Sequence, residues 1–196
     1  SVEVSPELIR LMKSNSRLCK QLHLPLQSGT DKILKAMGRT YTIEKFTILL
    51  EEIRRELPQV AITTDIIVGF PGETDEDFEQ TLKAVESFEF SGIHVFPYSP
   101  RRGTPAAEYP AQVSEETKKY RVQKLQGLAD QLAQNYRDQF IEKELEVLWE
   151  EPDSEGIISG WSSEYIRVYK EVGNEKYGNI SKGVGTKRYK DGIWAK

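Results

Sequence analysis

Helical and strand periods of apolar residues alternate along the first two thirds of the chain. Ser5-Pro6-Glu7 sets a capping hydroxyl ahead of a proline suited to a first helical turn, and Leu8, Ile9 and Met12 share the face that follows, so a short helix is predicted there. Between Lys20 and Gln27, Leu22, Leu24 and Leu26 fall on one side with strand alternation, and Pro25, lacking a ladder donor, belongs at a strand end or edge. Thr30-Asp31 caps a short helix ended by Gly38. Thr42 caps a longer one in which Ile43, Phe46, Leu49, Leu50, Ile53 and Leu57 keep register until Pro58. Val60 to Gly69 is β-branched and almost continuously apolar, as in a parallel strand covered on both faces, with Asp65 the one charge inside it. After the turn Phe70-Pro71-Gly72-Glu73, Thr74 and a run of acids open a helix whose buried face is Phe78, Leu82 and Val85. Gly92 to Tyr98 reads as a further strand. Beyond a loop, Ser114 caps a long helix carrying Val122, Leu125, Leu128, Leu132, Tyr136 and Phe140 in register.

Strand, helices, strand, helix, strand, helix is the order of right-handed parallel crossovers, so residues 1–138 are expected to form an α/β unit, either an open parallel sheet or part of a barrel. Past Phe140 the pattern shortens. Leu145 to Trp149, Tyr165 to Tyr169 and a tail punctuated by Gly173, Gly178, Gly183, Gly185 and Gly192 describe short strands and turns, so residues 139–196 are expected to close into a small antiparallel β-barrel.

Composition narrows what such a chain can do. Its 27 Lys and Arg against 31 Asp and Glu leave a net charge of -4, which excludes binding of polyanions through bulk charge; nucleic acid must be met by a local patch. Residues 141–169 carry two basic groups and eight acids, whereas residues 170–196 carry seven basic groups and three acids. In that tail Lys182, Lys187, Arg188 and Lys190 mix with Tyr177, Tyr189 and Trp194, the cation and aromatic blend that nucleic acid favours, although a solvated strand face has the same composition. No apolar run approaches the roughly 20 residues a bilayer demands, and no basic, apolar leader opens the chain. With the single cysteine Cys19, no internal disulfide is possible and the cytoplasm is the expected compartment. The chain starts at Ser1 without an initiator methionine, as an excised piece of something longer would.

In parallel β/α sheets, ligands gather at the carboxyl ends of strands. Three such ends are distinctive here: Gln27-Ser28-Gly29, Asp65 through Thr74, and Pro97 through Thr104, and they are expected to line one rim. Asp65 is either held charged by partners at a polar cofactor or bonded to backbone or a neighbouring helix. Gly69 and Gly72 either admit a ligand to the backbone or simply make the turn, and the lysine of a phosphate loop is missing. Arg101 and Arg102 suit a carboxylate or phosphate if their loop faces the rim. His23 and His94 are read as packed, hydrogen-bonded core residues without a catalytic role, and Cys19 as a small apolar residue. No serine triad, carboxylate pair or zinc motif is present, and no metal site is expected.

The same three segments carry a resemblance. His23-Leu24-Pro25-Leu26-Gln27-Ser28-Gly29 with Leu34, Met37, Arg39 and Tyr41-Thr42, then Thr64-Asp65-Ile66-Ile67-Val68-Gly69-Phe70-Pro71-Gly72-Glu73-Thr74, then Phe96-Pro97-Tyr98-Ser99 with Arg101, Gly103, Thr104 and Pro105, closely resemble the radical S-adenosylmethionine methylthiotransferases over about residues 5–150. The tail is similar to that family's RNA-binding TRAM domain, a small OB-like β-barrel. Ala61 to Asp65 and His94 to Tyr98 look most like the MtaB-like branch, which acts on threonylcarbamoyladenosine beside the anticodon. The branches acting on isopentenyladenosine and on a ribosomal-protein aspartate are the alternatives, as is a non-catalytic RNA-binding module or a half-barrel that dimerises.

The resemblance implies S-adenosylmethionine and two four-iron four-sulfur clusters in the full-length enzyme, and a tRNA anticodon stem-loop as partner. Neither the Cys-x-x-x-Cys-x-x-Cys loop nor the cysteines of the second cluster occur here, and Cys19 alone cannot replace them. The chain is thus expected to be the second half of a radical barrel plus the TRAM domain, inactive without its amino-terminal half. By position, Gln27, Ser28, Asp65, Gly69 and Pro97 are expected near S-adenosylmethionine, with Arg101 a substrate or cofactor contact, and the tail patch of Lys182, Lys187, Arg188, Tyr189 and Lys190 is expected at RNA.

Overall fold

The structure, a computed structural model, describes residues 4–173 and 177–196. Helix α1 (Pro6–Ser14) starts where Ser5 accepts a hydrogen bond from the Leu8 N–H, and it buries Ile9 and Met12. Leu8, expected on that face, is 40% exposed, because the helix rests on the sheet unit along a narrower stripe than the sequence spacing allows.

Three parallel strands follow in the order β1 (Gln21–His23), β2 (Ala61–Val68) and β3 (Gly92–Pro97). The strand read from Lys20 to Gln27 is cut short by Pro25, and the hydroxyl of Thr64 takes over the missing pairing: it donates to the Leu24 carbonyl at 2.7 Å and accepts from the Leu26 N–H at 2.9 Å. Pairing resumes at Gln27, whose N–H donates to the Asp65 carbonyl and whose carbonyl accepts from the Ile67 N–H. The register places Leu22, Ile62, Ile66, Val68 and Ile93 on one face, packed with Leu24 and Leu26 beneath α3 (Ile43–Glu56), α4 (Asp75–Phe88) and α5 (Glu115–Asp138). Phe46, Phe88 and Phe90 fill this core with ring centroids 5.6 to 6.3 Å apart.

Strand β2 is not covered alike on both sides. The alternate residues Thr63, Asp65 and Ile67 face away from the helices, and in register with them stand His23, His94 and Phe96. Asp65 is therefore no anomaly in an apolar strand: it belongs to a polar face. His23 and His94 are both exposed on that face, not packed in the core, and Cys19 is exposed as well.

Thr30 caps the short α2 (Asp31–Ala36), and Gly38 with φ +73° turns the chain out of it. Thr74 and Asp77 form a reciprocal capping box at the start of α4. The stripe along α5 divides its work. Leu125, Ala129 and Leu132 pack on the sheet, whereas Tyr136, together with Phe140 just past the helix end, enters the core of the tail.

That tail is a closed five-stranded barrel of β4 (Glu144–Trp149), β5 (Ile157–Ser162), β6 (Arg167–Glu171), β7 (Ile180–Tyr189) and β8 (Gly192–Ala195), in the order β4-β5-β6-β8-β7. Four of its pairings are antiparallel, but closure is made by a parallel pair, β6 with β8, so the purely antiparallel expectation needs correction. The reason is that β7 and β8 form a hairpin: a β8 antiparallel to β7 necessarily runs parallel to β6. The interior is Leu145, Val147, Trp149, Ile158, Val168 and Ile193, with the Trp149 indole donating to Ser181 at 2.7 Å. Tyr136 ties barrel to sheet unit, its hydroxyl lying 3.1 Å from the carbonyls of both Gln59 and Glu164. Among the described residues no helix is long and apolar enough to cross a membrane.

Candidate active site

Gln27 lies just past β1 with φ +68°, a region that favours glycine, and its two backbone hydrogen bonds to β2 hold it there. Its side-chain oxygen accepts from Arg39 Nη2 at 2.9 Å, so the α2–α3 connection is fastened to the end of β1. Tyr41 fastens the same loop by donating to the Pro25 carbonyl at 2.9 Å. On β2, Asp65 stands one register step away, with Oδ2 3.4 Å from His23 Nε2, while His23 Nδ1 is 3.0 Å from the Thr63 hydroxyl.

The β2–α4 turn is set by a buried ion pair. Glu73 Oε2 accepts from the Gly69 N–H at 2.6 Å and from Arg121 Nη1 at 2.6 Å, and both side chains are at most 3% exposed. Burial pushes the Glu73 carboxyl above the usual range, against the pull of Gly69 and Arg121. Gly69 has φ +73°, and a Cβ there would meet Cγ of Lys118 at 2.4 Å, so only glycine fits. Phe70 in this turn packs edge-on against Tyr98, with ring centroids 5.1 Å apart, and against Tyr109.

These pieces converge on one concavity of about 880 Å³ at the carboxyl ends of the three strands, within the range of cofactor and substrate sites. Its wall is apolar and aromatic (Met37, Ile67, Phe70, Phe96, Tyr98 and Tyr109), and its charged groups are Lys35, Arg39, Asp65 and Arg101. The loop between Ser99 and Val113 closes one side through a 3-10 turn, Pro105–Glu108, and is pinned by the Gly72 N–H on the Ala111 carbonyl.

Of the residues singled out from the sequence, Gln27, Asp65, Pro97 and Arg101 line this concavity. Ser28 and Gly69 do not: Ser28 is wholly buried beside Thr30, and Gly69 is filled by Lys118. Phe70, within the second segment, lines it too, whereas Lys35 and Tyr109 lie outside all three segments and are additions from the structure. Nothing in local sequence separates a helix-end lysine that faces a cavity from one that faces water.

On the barrel, Lys187, Tyr189 and Lys190 gather with Tyr169 and Trp194. Lys187 Nζ lies 5.8 Å from the Trp194 ring, and Lys190 Nζ lies 5.3 Å from Tyr189. Lys182 and Arg188 are instead paired, Lys182 with Glu144 at 2.7 Å and Arg188 in a two-pronged contact with Asp138. Arg167, itself paired with Glu150 at 2.7 Å, extends the aromatic surface with Trp161 and Tyr165, Trp161 stacked on Tyr165 at 4.9 Å and the Arg167 guanidinium 5.3 Å from Trp161. The register pairs Trp161 with Arg167 and Tyr169 with Trp194 on that outer face.

Comparison with known proteins agrees with the reading of the three segments. The family model of the radical SAM superfamily matches residues 1–85. The threonylcarbamoyladenosine tRNA methylthiotransferase MtaB of Thermotoga maritima is 45% identical over 172 residues, covering 88% of this chain and 39% of that protein. The protein of the same name in Bacillus subtilis is 39% identical over 184 residues, 92% of this chain and 41% of its own length. The tRNA-2-methylthio-N(6)-dimethylallyladenosine synthase of Corynebacterium diphtheriae is 47% identical over 146 residues, 74% of this chain and 28% of its own length. The chain thus spans well under half the length of the curated relatives it matches. It belongs to the radical S-adenosylmethionine methylthiotransferase family.

Proposed function

We propose that this chain is part of a tRNA methylthiotransferase that adds a methylthio group to carbon 2 of threonylcarbamoyladenosine next to the anticodon. In this reading residues 1–138 are a portion of its radical barrel and residues 139–196 its RNA-binding domain. The observation that carries it is the concavity where Gln27, Asp65, Pro97 and Arg101 meet at the strand ends, together with two relatives of that name that cover 88% and 92% of this chain.

S-adenosylmethionine fits the residues present. Asp65 and the Gln27 side chain offer acceptors, the aromatic wall offers a surface for adenine, and Arg39 offers a donor for its carboxylate. The chemistry it supplies in this family is hydrogen-atom abstraction and a methyl group. An iron–sulfur cluster does not fit. It takes several thiolates, and the chain has only Cys19, exposed before β1; among the described residues no three groups that could ligate a metal come together. The cluster ligands therefore belong to other parts of the polypeptide, which we place beside β1, whose outer edge has no pairing among the described residues.

What this chain's own residues do is bind and orient. The Glu73–Arg121 pair and Lys118 fix the turn that aims Phe70 at the cavity. His23 and Thr63 brace Asp65 from the polar sheet face. The loop from Ser99 to Val113 shields one side from water. The barrel offers an anticodon stem-loop a stacking surface of Trp161, Tyr165, Tyr169, Tyr189 and Trp194, interleaved with Arg167, Lys187 and Lys190. Lys182 and Arg188 sit on solvated ion pairs weak enough for phosphates to replace. A tRNA substrate puts this work in the cytoplasm.

In a strain whose gene is disrupted, nucleoside mass spectrometry of bulk tRNA should show loss of one methylthio nucleoside; an unchanged nucleoside profile overturns the proposal. Complementation by the Trp161→Ala, Arg167→Ala double variant should restore little of it. Loss of a stacking contact is worth about 1–3 kcal/mol, a drop in stem-loop affinity of roughly 5- to 150-fold.

A further inference from the structure

The relatives act, by their names, on two chemically different adenosines, and identity alone does not separate them: 45% and 39% to the threonylcarbamoyl enzymes against 47% to a dimethylallyl one. Charge does. A dimethylallyl substituent is an uncharged hydrocarbon, whereas threonylcarbamoyl ends in a carboxylate. The cavity carries three cations, Lys35 at the end of α2, Arg39 beyond it and Arg101 on the loop after β3, against the single acid Asp65, which is already beside His23.

None of the three cations has an ion-pair partner among the described residues. Lys45, Lys83 and Lys119 on the helices likewise have no ion-pair partner among the described residues, so what sets the three cavity cations apart is that they gather at one cavity facing a single acid. Arg39 is in addition occupied at one end by the Gln27 side chain, which leaves Lys35 and Arg101 as the uncommitted donors. A hydrocarbon seated there would strip water from cations and return nothing. A carboxylate would accept charge-assisted hydrogen bonds from them while its base lies on Phe70, Phe96 or Tyr98.

Building on the function proposed above, we infer that Lys35 and Arg101 are the specificity-determining residues that read the carboxylate of an acidic substituent on N6 of the substrate adenosine. Three sources of anion compete for these cations: that carboxylate, the carboxylate of S-adenosylmethionine, and an RNA phosphate. Binding experiments separate them.

The full-length, cofactor-loaded enzyme is titrated with synthetic anticodon stem-loops bearing threonylcarbamoyladenosine, isopentenyladenosine or plain adenosine, and separately with S-adenosylmethionine. The wild type should prefer the threonylcarbamoyl loop. Arg101→Gln and Lys35→Gln should each reduce that preference roughly ten- to hundredfold, the worth of a hydrogen bond to a charged group, and leave affinity for plain adenosine unchanged. Arg101→Lys, which keeps the charge, should retain part of it. Uniform weakening on all three loops marks a phosphate contact, and loss of S-adenosylmethionine affinity with the preference intact marks the cofactor's carboxylate; either overturns the inference. Preference for isopentenyladenosine overturns it too while leaving a methylthiotransferase. Failure to bind any stem-loop removes the underlying function as well.

Discussion

Replacing Arg121 by methionine is expected to cost about 3–5 kcal/mol of stability at neutral pH, because it strands the Glu73 carboxylate in a site where it is 1% exposed. Arg121 donates to that carboxylate at 2.6 Å and to the Glu73 carbonyl at 3.2 Å; methionine fills much of the volume but offers neither contact. The loss should depend on pH in a definite sense. Burial already raises the Glu73 carboxyl above its ordinary 4.5, and removing the cation raises it further. A carboxyl raised by folding binds protons more readily in the folded state, so its contribution is fully present below the unfolded value and is lost as pH rises through the folded one. Urea denaturation of wild type and Arg121→Met should therefore show the widest gap at pH 8 and a narrower one near pH 5. A gap that is constant, or widest in acid, contradicts a buried charge pair. The functional consequence is local: Gly69 and Phe70 lose the anchor that holds the turn, and with it one wall of the cavity.

Gly192→Ala is expected to disable the barrel while sparing the sheet unit. A Cβ at Gly192 would lie 1.9 Å from the Arg167 carbonyl oxygen, a backbone atom that moves only if β6 and β8 separate. Those strands make the parallel pair that closes the barrel. Overpacking against side chains costs about 1–3 kcal/mol, and against backbone it falls at or above the top of that range. Trp161 and Trp194 report on this part, so tryptophan fluorescence should lose its folded signature at lower denaturant than the helical circular dichroism, which comes from the sheet unit. A single coincident transition at the wild-type midpoint contradicts the close approach.

The α/β part was legible because every element carried its own signal: hydroxyl caps at Ser5, Thr30, Thr42, Thr74 and Ser114 all proved to be N-caps that accept from the third residue on. Convergence of the three strand ends was also legible, since parallel topology alone brings carboxyl ends to one rim. What escaped was whatever depends on partners distant in sequence. His23 and His94 looked like core residues because their neighbours are apolar; the pleat puts them on the opposite face, and only the pairing register of β1, β2 and β3 decides that this face is open. Ser28 and Gly69 share motifs with cavity residues, yet one is wholly buried and the other is filled by Lys118 from a helix about fifty positions away. In the tail the basic residues were visible as composition, but Lys182 and Arg188 turned out to hold acids on β4 and α5, while the aromatic surface around Arg167 came from strands β5 and β6 in the acidic stretch. Net charge per segment could not reveal it.

Position of the reacting centre is the claim on which the functional reading turns. The most direct measurement is tRNA nucleoside mass spectrometry in the gene-disrupted strain complemented with Asp65→Asn, compared with Lys45→Ala on the exposed face of α3 at equal protein level. Restored modification with Lys45→Ala and an almost complete loss with Asp65→Asn is the expected result; full restoration by Asp65→Asn would contradict a reaction carried out in this cavity.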